Sequence, residues 1–317
     1  MKKLSKLLIS LIMPLLIAGV LPVQAQEASP PKLLTLPGPN GFPVIPVMEG
    51  WAANADGTTS YSFGFINRNM EGPVDIPLGE NNYIEPAQFD GMQPTHFDPG
   101  HSVGAFSVTV PANMKDVDVW WHIVTDGEDL KVPGRSTTAP YEIDFIRPRP
   151  QGSLQPLVGF GEIGERSAGL LARVEDYPGR VAAGDSVTLT VNAMDPSDRD
   201  PTDPRFGEPL PVRLVWMQHQ GPGKIEFSRH ESSPALEEEE PGGRISNRRV
   251  AKYDPALTSA ETVTLPLGQG VARINAVFSE PGEYIVRTRV DNFSASDSSL
   301  GDQCCWSNVL QRVTVTP

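Results

Sequence analysis

The stretch Val117-Asp-Val-Trp-Trp-His-Ile-Val-Thr-Asp126-Gly127 decides the fold class. Val117, Val119, Trp121 and Ile123 recur at every second residue, the period of a strand with one buried face. Trp120 and Trp121 are adjacent on that strand, so one indole fills a core and the other faces solvent or a second domain. Asp126-Gly127 then supplies two residues that tolerate positive φ, the strongest short cue for a tight antiparallel hairpin. The same period extends outward along the chain. Thr59, Tyr61, Phe63 and Phe65 alternate with Ser60, Ser62 and Gly64, and Phe106, Val108 and Val110 lead up to Pro111. Tyr141, Ile143 and Phe145 predict a closing strand. With 32 prolines, 29 glycines and no run at a period of 3.6, the chain reads as all-β.

The first 25 residues carry an address. Lys2, Lys3 and Lys6 precede an apolar run from Leu7 to Val20, and Val23-Gln24-Ala25 places small residues where a signal peptidase cuts. The apolar run is short for a membrane span, and no cysteine stands near the cut to take a lipid. The expected product is secreted or periplasmic, with no transmembrane segment after cleavage. Losing the three lysines moves the formal net charge from −13 to −16. Nucleic acid and anionic membranes, which need a basic footprint, are poor partners for such a chain.

What remains is long enough for two domains. The expected organisation is a signal peptide over 1–25, a Pro-rich segment over 26–50 and an N-terminal β-sandwich over 51–146. A Gly/Pro linker over 147–172 and a second sandwich over 173–317 follow, the latter with a charged insertion at 228–260. The insertion sets Glu237–Glu240 beside Arg244, Arg248 and Arg249, the composition of a solvated loop.

In the second half, Val187, Leu189, Val191 and Ala193, then Val212, Leu214 and Trp216, repeat the strand period. Phe278-Ser-Glu-Pro-Gly-Glu-Tyr284-Ile-Val-Arg, followed at the end by Val313-Thr-Val315, resembles the late strands of bacterial extracellular immunoglobulin-like and PKD-type modules. The chain reads as two antiparallel β-sandwich domains; the resemblance covers 173–317 and implies that the second is immunoglobulin-like, with Trp216 as the core tryptophan of its third strand. It also implies adhesion, spacing or glycan contact. The first half looks like a module of exported bacterial proteins, carried by Gly91-Met-Gln-Pro-Thr-His-Phe97.

Two enzyme signatures occur letter for letter and lack their context. Gly100-His-Ser102-Val-Gly104 matches the nucleophile elbow, yet a strand rather than a helix is expected after it. Gly159-Phe-Gly-Glu-Ile-Gly164 matches the dinucleotide fingerprint. Pro156 interrupts the strand it requires, and no acidic residue ends a strand at the right distance. That stretch is expected to be flexible linker.

Four further groups are candidate sites. His96, Asp98 and His101, with Asp90 and His122 near them, offer the nitrogen and oxygen donors of a transition-metal site or of a metal-dependent enzyme. Asp195, Asp198, Asp200 and Asp203 crowd oxygen ligands suited to calcium onto one loop, although three prolines stiffen it. Cys304-Cys305 is the only cysteine pair. Export favours its oxidation, even though neighbouring Cα atoms lie about 3.8 Å apart, below the usual disulfide range of about 4.4–6.8 Å. Trp51, Trp120, Trp121, Trp216 and Trp306 are candidates for ligand contact. The reading is of an exported, non-catalytic binding, adhesion or assembly protein whose partner is a protein or a glycan. A glycan- or calcium-binding accessory protein and a metal-dependent enzyme are the alternatives. Intact mass of the exported protein should show a chain beginning at Gln26 and about 2 Da lighter than its reduced form. A retained leader, or no change of mass on reduction, would remove the corresponding expectation.

Overall fold

The computed structural model describes residues 41–137, 139–143, 152–233, 261–298 and 303–317. The leader, most of the Pro-rich segment and the insertion beyond residue 233 lie outside them. In the first sandwich, β1 (Ile45–Ala53), β2 (Thr59–Asn67) and β6 (Gly100–Val110) form one antiparallel sheet in the order β1-β2-β6. A second sheet has the order β4 (Asn82–Glu85), β7 (Val119–Thr125), β8 (Glu128–Gly134). A short pair, β3 (Val74–Asp75) with β5 (His96–Phe97), closes one end.

The expected alternation sets this packing. Tyr61, Phe63 and Phe65 of β2 meet Phe106, Val108 and Val110 of β6, and across the layer Val119, Trp121 and Ile123 of β7. Phe106 stacks on Phe63 with centroids 5.1 Å apart and meets the Trp121 indole edge-on at 4.9 Å. Asp126 and Gly127 take φ of 52° and 78°, making the tight β7–β8 hairpin that their residue types favour.

The second sandwich also has two layers. One sheet runs β14 (Ile225–Arg229), β16 (Gln269–Phe278), β12 (Ser186–Met194), β9 (Leu157–Phe160). The other runs β10 (Arg173–Asp176), β18 (Trp306–Thr316), β17 (Gly282–Asp291), β13 (Val212–Gln220), β15 (Thr262–Leu265), with β11 (Val181–Ala182) also on β18. The incoming chain first pairs antiparallel with β12, then crosses and runs parallel to β18, an immunoglobulin-like division of the first strand between two sheets. Trp216 is buried in the core between the layers. Tyr284 donates from its hydroxyl to the Glu280 carbonyl at 2.9 Å, the tyrosine corner of such folds.

Two expectations need correcting. Tyr141 to Phe145 was to be a strand, but Ala139–Tyr141 is a single 3-10 turn and Tyr141 is 52% exposed. Pro140 has no amide hydrogen to give to a ladder, and only Glu142 bridges, to Trp51. Residues 144–146 lie outside the described residues. The stretch read as flexible linker contains β9, and its glycines serve close packing. Gly161 has φ of 69°, a side chain at Gly164 would collide with the Phe160 carbonyl, and Asn192 donates to the carbonyls of Gly161 and Gly164.

The two sandwiches dock through an extensive seam. The Thr95 amide donates to the His219 carbonyl at 2.9 Å, and His219 Nε2 donates to the Met92 carbonyl at 2.8 Å. Gln220 Nε2 donates to the carbonyls of Gly91 and Gln93 at 3.0 and 2.6 Å. At the other end of the seam Trp306 packs against Gly104, whose φ of 58° and missing side chain admit the indole. Ala52, Leu170, Phe293, Cys305 and Trp306 form a separate apolar cluster there. The tyrosine corner gives a direct check: Tyr284→Phe should lower unfolding free energy by about 1 kcal/mol, read from denaturant midpoints.

Candidate binding face

The histidines do not gather around one centre. His96 Nδ1 lies 2.7 Å from Asp75 and Nε2 lies 3.4 Å from Asp98. Burial pulls its pKa down, but bonds and charge from those two carboxylates outweigh burial and raise it to about 9. A metal at either ring nitrogen would therefore have to displace a proton at neutral pH. His101 Nε2 is instead 3.0 Å from Glu49, and His122 Nδ1 is 3.0 Å from Asp129. Asp90 is taken by the Ile84 amide and Gln93. Among the described residues, no three His, Cys, Asp or Glu side chains are placed to hold a metal ion. The expected transition-metal centre at His96, Asp98 and His101 is not assembled.

The acidic loop is likewise committed to its own turns. Arg199 lies between Asp195 at 2.7 Å and Asp297 at 2.9 Å and pairs with both carboxylates. Asp200 caps the Thr202 amide and hydroxyl, and Asp203 pairs with Arg205 at 2.6 Å. The Asp198 amide donates to the Gly152 carbonyl. Three of the four carboxylates expected to share calcium, those of Asp195, Asp200 and Asp203, thus bond to separate partners. Ser102, in the elbow-like match, lies within β6, with Arg287 Nη2 3.2 Å from its hydroxyl. Cys304 and Cys305 adjoin, with their sulfurs in contact, in the turn leading into Trp306.

The tryptophans divide clearly. Trp121, Trp216 and Trp306 are 0%, 1% and 2% exposed, so these three candidates for ligand contact are closed to a ligand. Trp51 packs against the first core. Trp120 is half-buried on the outer face of the β4-β7-β8 sheet, opposite Trp121 as the alternation requires. The cross-strand register places Glu85 and Pro133 beside Trp120, and Tyr83 and Lys131 beside His122. Tyr83 stacks on the His122 ring at 4.3 Å, forming a closed floor. Lys131 Nζ and Arg135 Cζ lie 5.5 and 5.9 Å from the Trp120 centroid, and Arg135 pairs with Asp118. Two cations therefore lie over the Trp120 ring, with Glu85 beside it on the neighbouring strand.

Sequence reasoning missed His219, Gln220 and Arg287. Arg287 and Arg289 alternate on β17 as solvent-facing residues would, yet both are buried. Arg287 reaches Ser102 of the other sandwich, and Asp291 accepts from Arg213 at 2.7 Å and lies 3.6 Å from Arg289.

No family model and no curated protein matches this chain. Solved structures similar to it include the D0-D1 domain of intimin, at 13% identity over 86% of this chain and 97% of that one, with a TM-score of 0.24. Adhesin InvE of Yersinia pseudotuberculosis is similar at 13% identity over 86% and 58%, with a TM-score of 0.23. The N-terminal domain of PorA is similar at 8% identity over 51% and 98%, with a TM-score of 0.26. Scores of this size assign neither family nor function.

Two histidines titrate in opposite senses. Burial and the Arg287 charge outweigh the bond to Met92 and pull the His219 pKa down to about 3. Its contribution to stability is present above the ordinary value of 6.5 and is lost as pH falls toward 3. The His96 contribution is full below 6.5 and is lost as pH rises through 9. Melting temperature should therefore peak near neutrality. His219→Gln should flatten the acid limb and His96→Gln the alkaline one, as read by thermal melts across pH.

Proposed function

We propose that the chain is an exported, non-catalytic binding protein that holds a glycan on the outer face of β4-β7-β8. The observation that carries this reading is Trp120, an indole assigned to no core and held on a rigid sheet. A sugar ring offers an apolar C–H face, which stacks on an indole, and hydroxyls, which need donors and acceptors at the rim. Glu85 supplies an acceptor there, and Lys131 and Arg135 supply donors. The leader-like N-terminus supports a site of action in the periplasm or outside the cell. Among the described residues, no helix is long and apolar enough to cross a membrane.

The reading needs neither catalysis nor calcium, and Arg199 and Arg205 pair with Asp195 and Asp203 of the acidic loop. Glycan-array capture followed by tryptophan fluorescence titration tests it. Trp120→Ala should weaken binding at least about tenfold, equivalent to about 1.4 kcal/mol, with the melting temperature nearly unchanged. Trp120→Phe should recover part of the affinity, and a chelator should change nothing. Failure of the whole array to bind, or equal binding by Trp120→Ala, would overturn the glycan reading. Capture of a protein partner through the same residue would replace it.

A further inference from the structure

We infer that the Trp120 face is one end of a longer cleft for an uncharged glycan chain, with Phe42 as a second aromatic platform. This rests on the glycan reading above. Trp120, His122 and Val124 share the outer side of β7, since alternate residues of a strand do. Val124 also lines a surface cavity of about 450 Å³ at the end of the strand, the residue that face and cavity share. Four strand residues separate Trp120 from Val124, about 13 Å of travel. That span exceeds one sugar ring, and the cavity falls within the size range of small-molecule sites.

The cavity repeats the chemistry found at Trp120. Phe42 forms part of its wall, and Asn81, Thr125 and Asp126 supply an amide, a hydroxyl and a carboxylate. Phe42 is fixed although it lies near the start of the described chain. Its amide donates to Asn69 Oδ1 at 2.8 Å, and Asn69 Nδ2 donates back to its carbonyl at 2.7 Å. Asn69 is itself held by Asn67, and the Arg68 guanidinium lies 4.5 Å from the Phe42 centroid. The opposite wall is the Asp126-Gly127 turn, whose two positive φ values hold it in shape. Between the platforms the Tyr83–His122 stack closes the floor.

Charge selects the kind of chain. Arg135 pairs with Asp118 and Lys131 lies 3.7 Å from Asp129, so the rim offers donors and acceptors with little net field. The protein as a whole carries −13, which repels a polyanionic glycan. An uncharged polysaccharide segment meets neither obstacle.

Calorimetric titration of the full mature protein with oligosaccharides of increasing length tests the inference. The probes are neutral gluco-, xylo- and chito-oligosaccharides from disaccharide to hexasaccharide, with oligogalacturonates as the anionic arm. Affinity for a neutral series should rise by about tenfold or more from disaccharide to pentasaccharide. Phe42→Ala should erase that gain while leaving disaccharide affinity in place. Asn81→Ala, at an exposed position, should reduce the gain and guards against an effect of Phe42→Ala on the fold. Trp120→Ala should weaken binding at least about tenfold at every length. Length-independent affinity, or full retention of the gain in both cavity variants, overturns the extended cleft and leaves the glycan reading standing. Preference for oligogalacturonates overturns the uncharged ligand. No binding at any length, or binding untouched by Trp120→Ala, overturns the glycan reading itself.

Discussion

The seam between the sandwiches is the constraint on which the rest of the structure depends. The segment Gly91–Thr95 has few regular backbone partners of its own, and β13 supplies them. His219 and Gln220 donate to three of its carbonyls, and its Thr95 amide finds the His219 carbonyl. Buried polar groups are costly unless bonded, so separating the two bodies would expose or orphan all of these at once. Trp306 against Gly104, and the apolar cluster around it, add burial at the far end. Asn308 contributes a further bond across the seam, donating to the Gly104 carbonyl at 3.0 Å. The two sandwiches are thereby joined into one body with two cores.

The same segment sets the binding face. Asn82, at the start of β4, donates to the carbonyls of Pro94 and Ile76, and Gln93 Nε2 lies 3.3 Å from the Asn82 carbonyl. Asn82 Oδ1 in turn accepts from the Trp121 indole at 3.0 Å. A chain of hydrogen bonds thus runs from β13 of one sandwich through residues 91–95 to the strand that carries Trp120. A platform held in this way loses little conformational freedom on binding, which is what preorganisation contributes to affinity.

Much of this was legible in the sequence wherever structure is local or periodic. Asp126-Gly127 announced its hairpin, and the Tyr61–Phe65 and Val119–Ile123 alternations announced their buried faces. The opposite facing of Trp120 and Trp121 followed from strand geometry alone. What stayed hidden depends on contacts between distant segments. Nothing in Gly100–Gly104 signals that its last glycine receives an indole from residue 306. Arg287 and Arg289 obey the alternation of an exposed face, but a second body lies where solvent was expected for Arg287. The clustered histidines and aspartates misled for a related reason. Proximity in sequence does not fix direction on a loop, and Asp200 and Asp203 bond within their own turns before any ion could recruit them.

Differential scanning calorimetry of the mature protein tests most directly whether the two cores form one body. Cooperative docking predicts a single transition whose calorimetric enthalpy equals the van't Hoff enthalpy. Two resolved transitions, or a calorimetric enthalpy near twice the van't Hoff value, would contradict it and free the binding face from the seam.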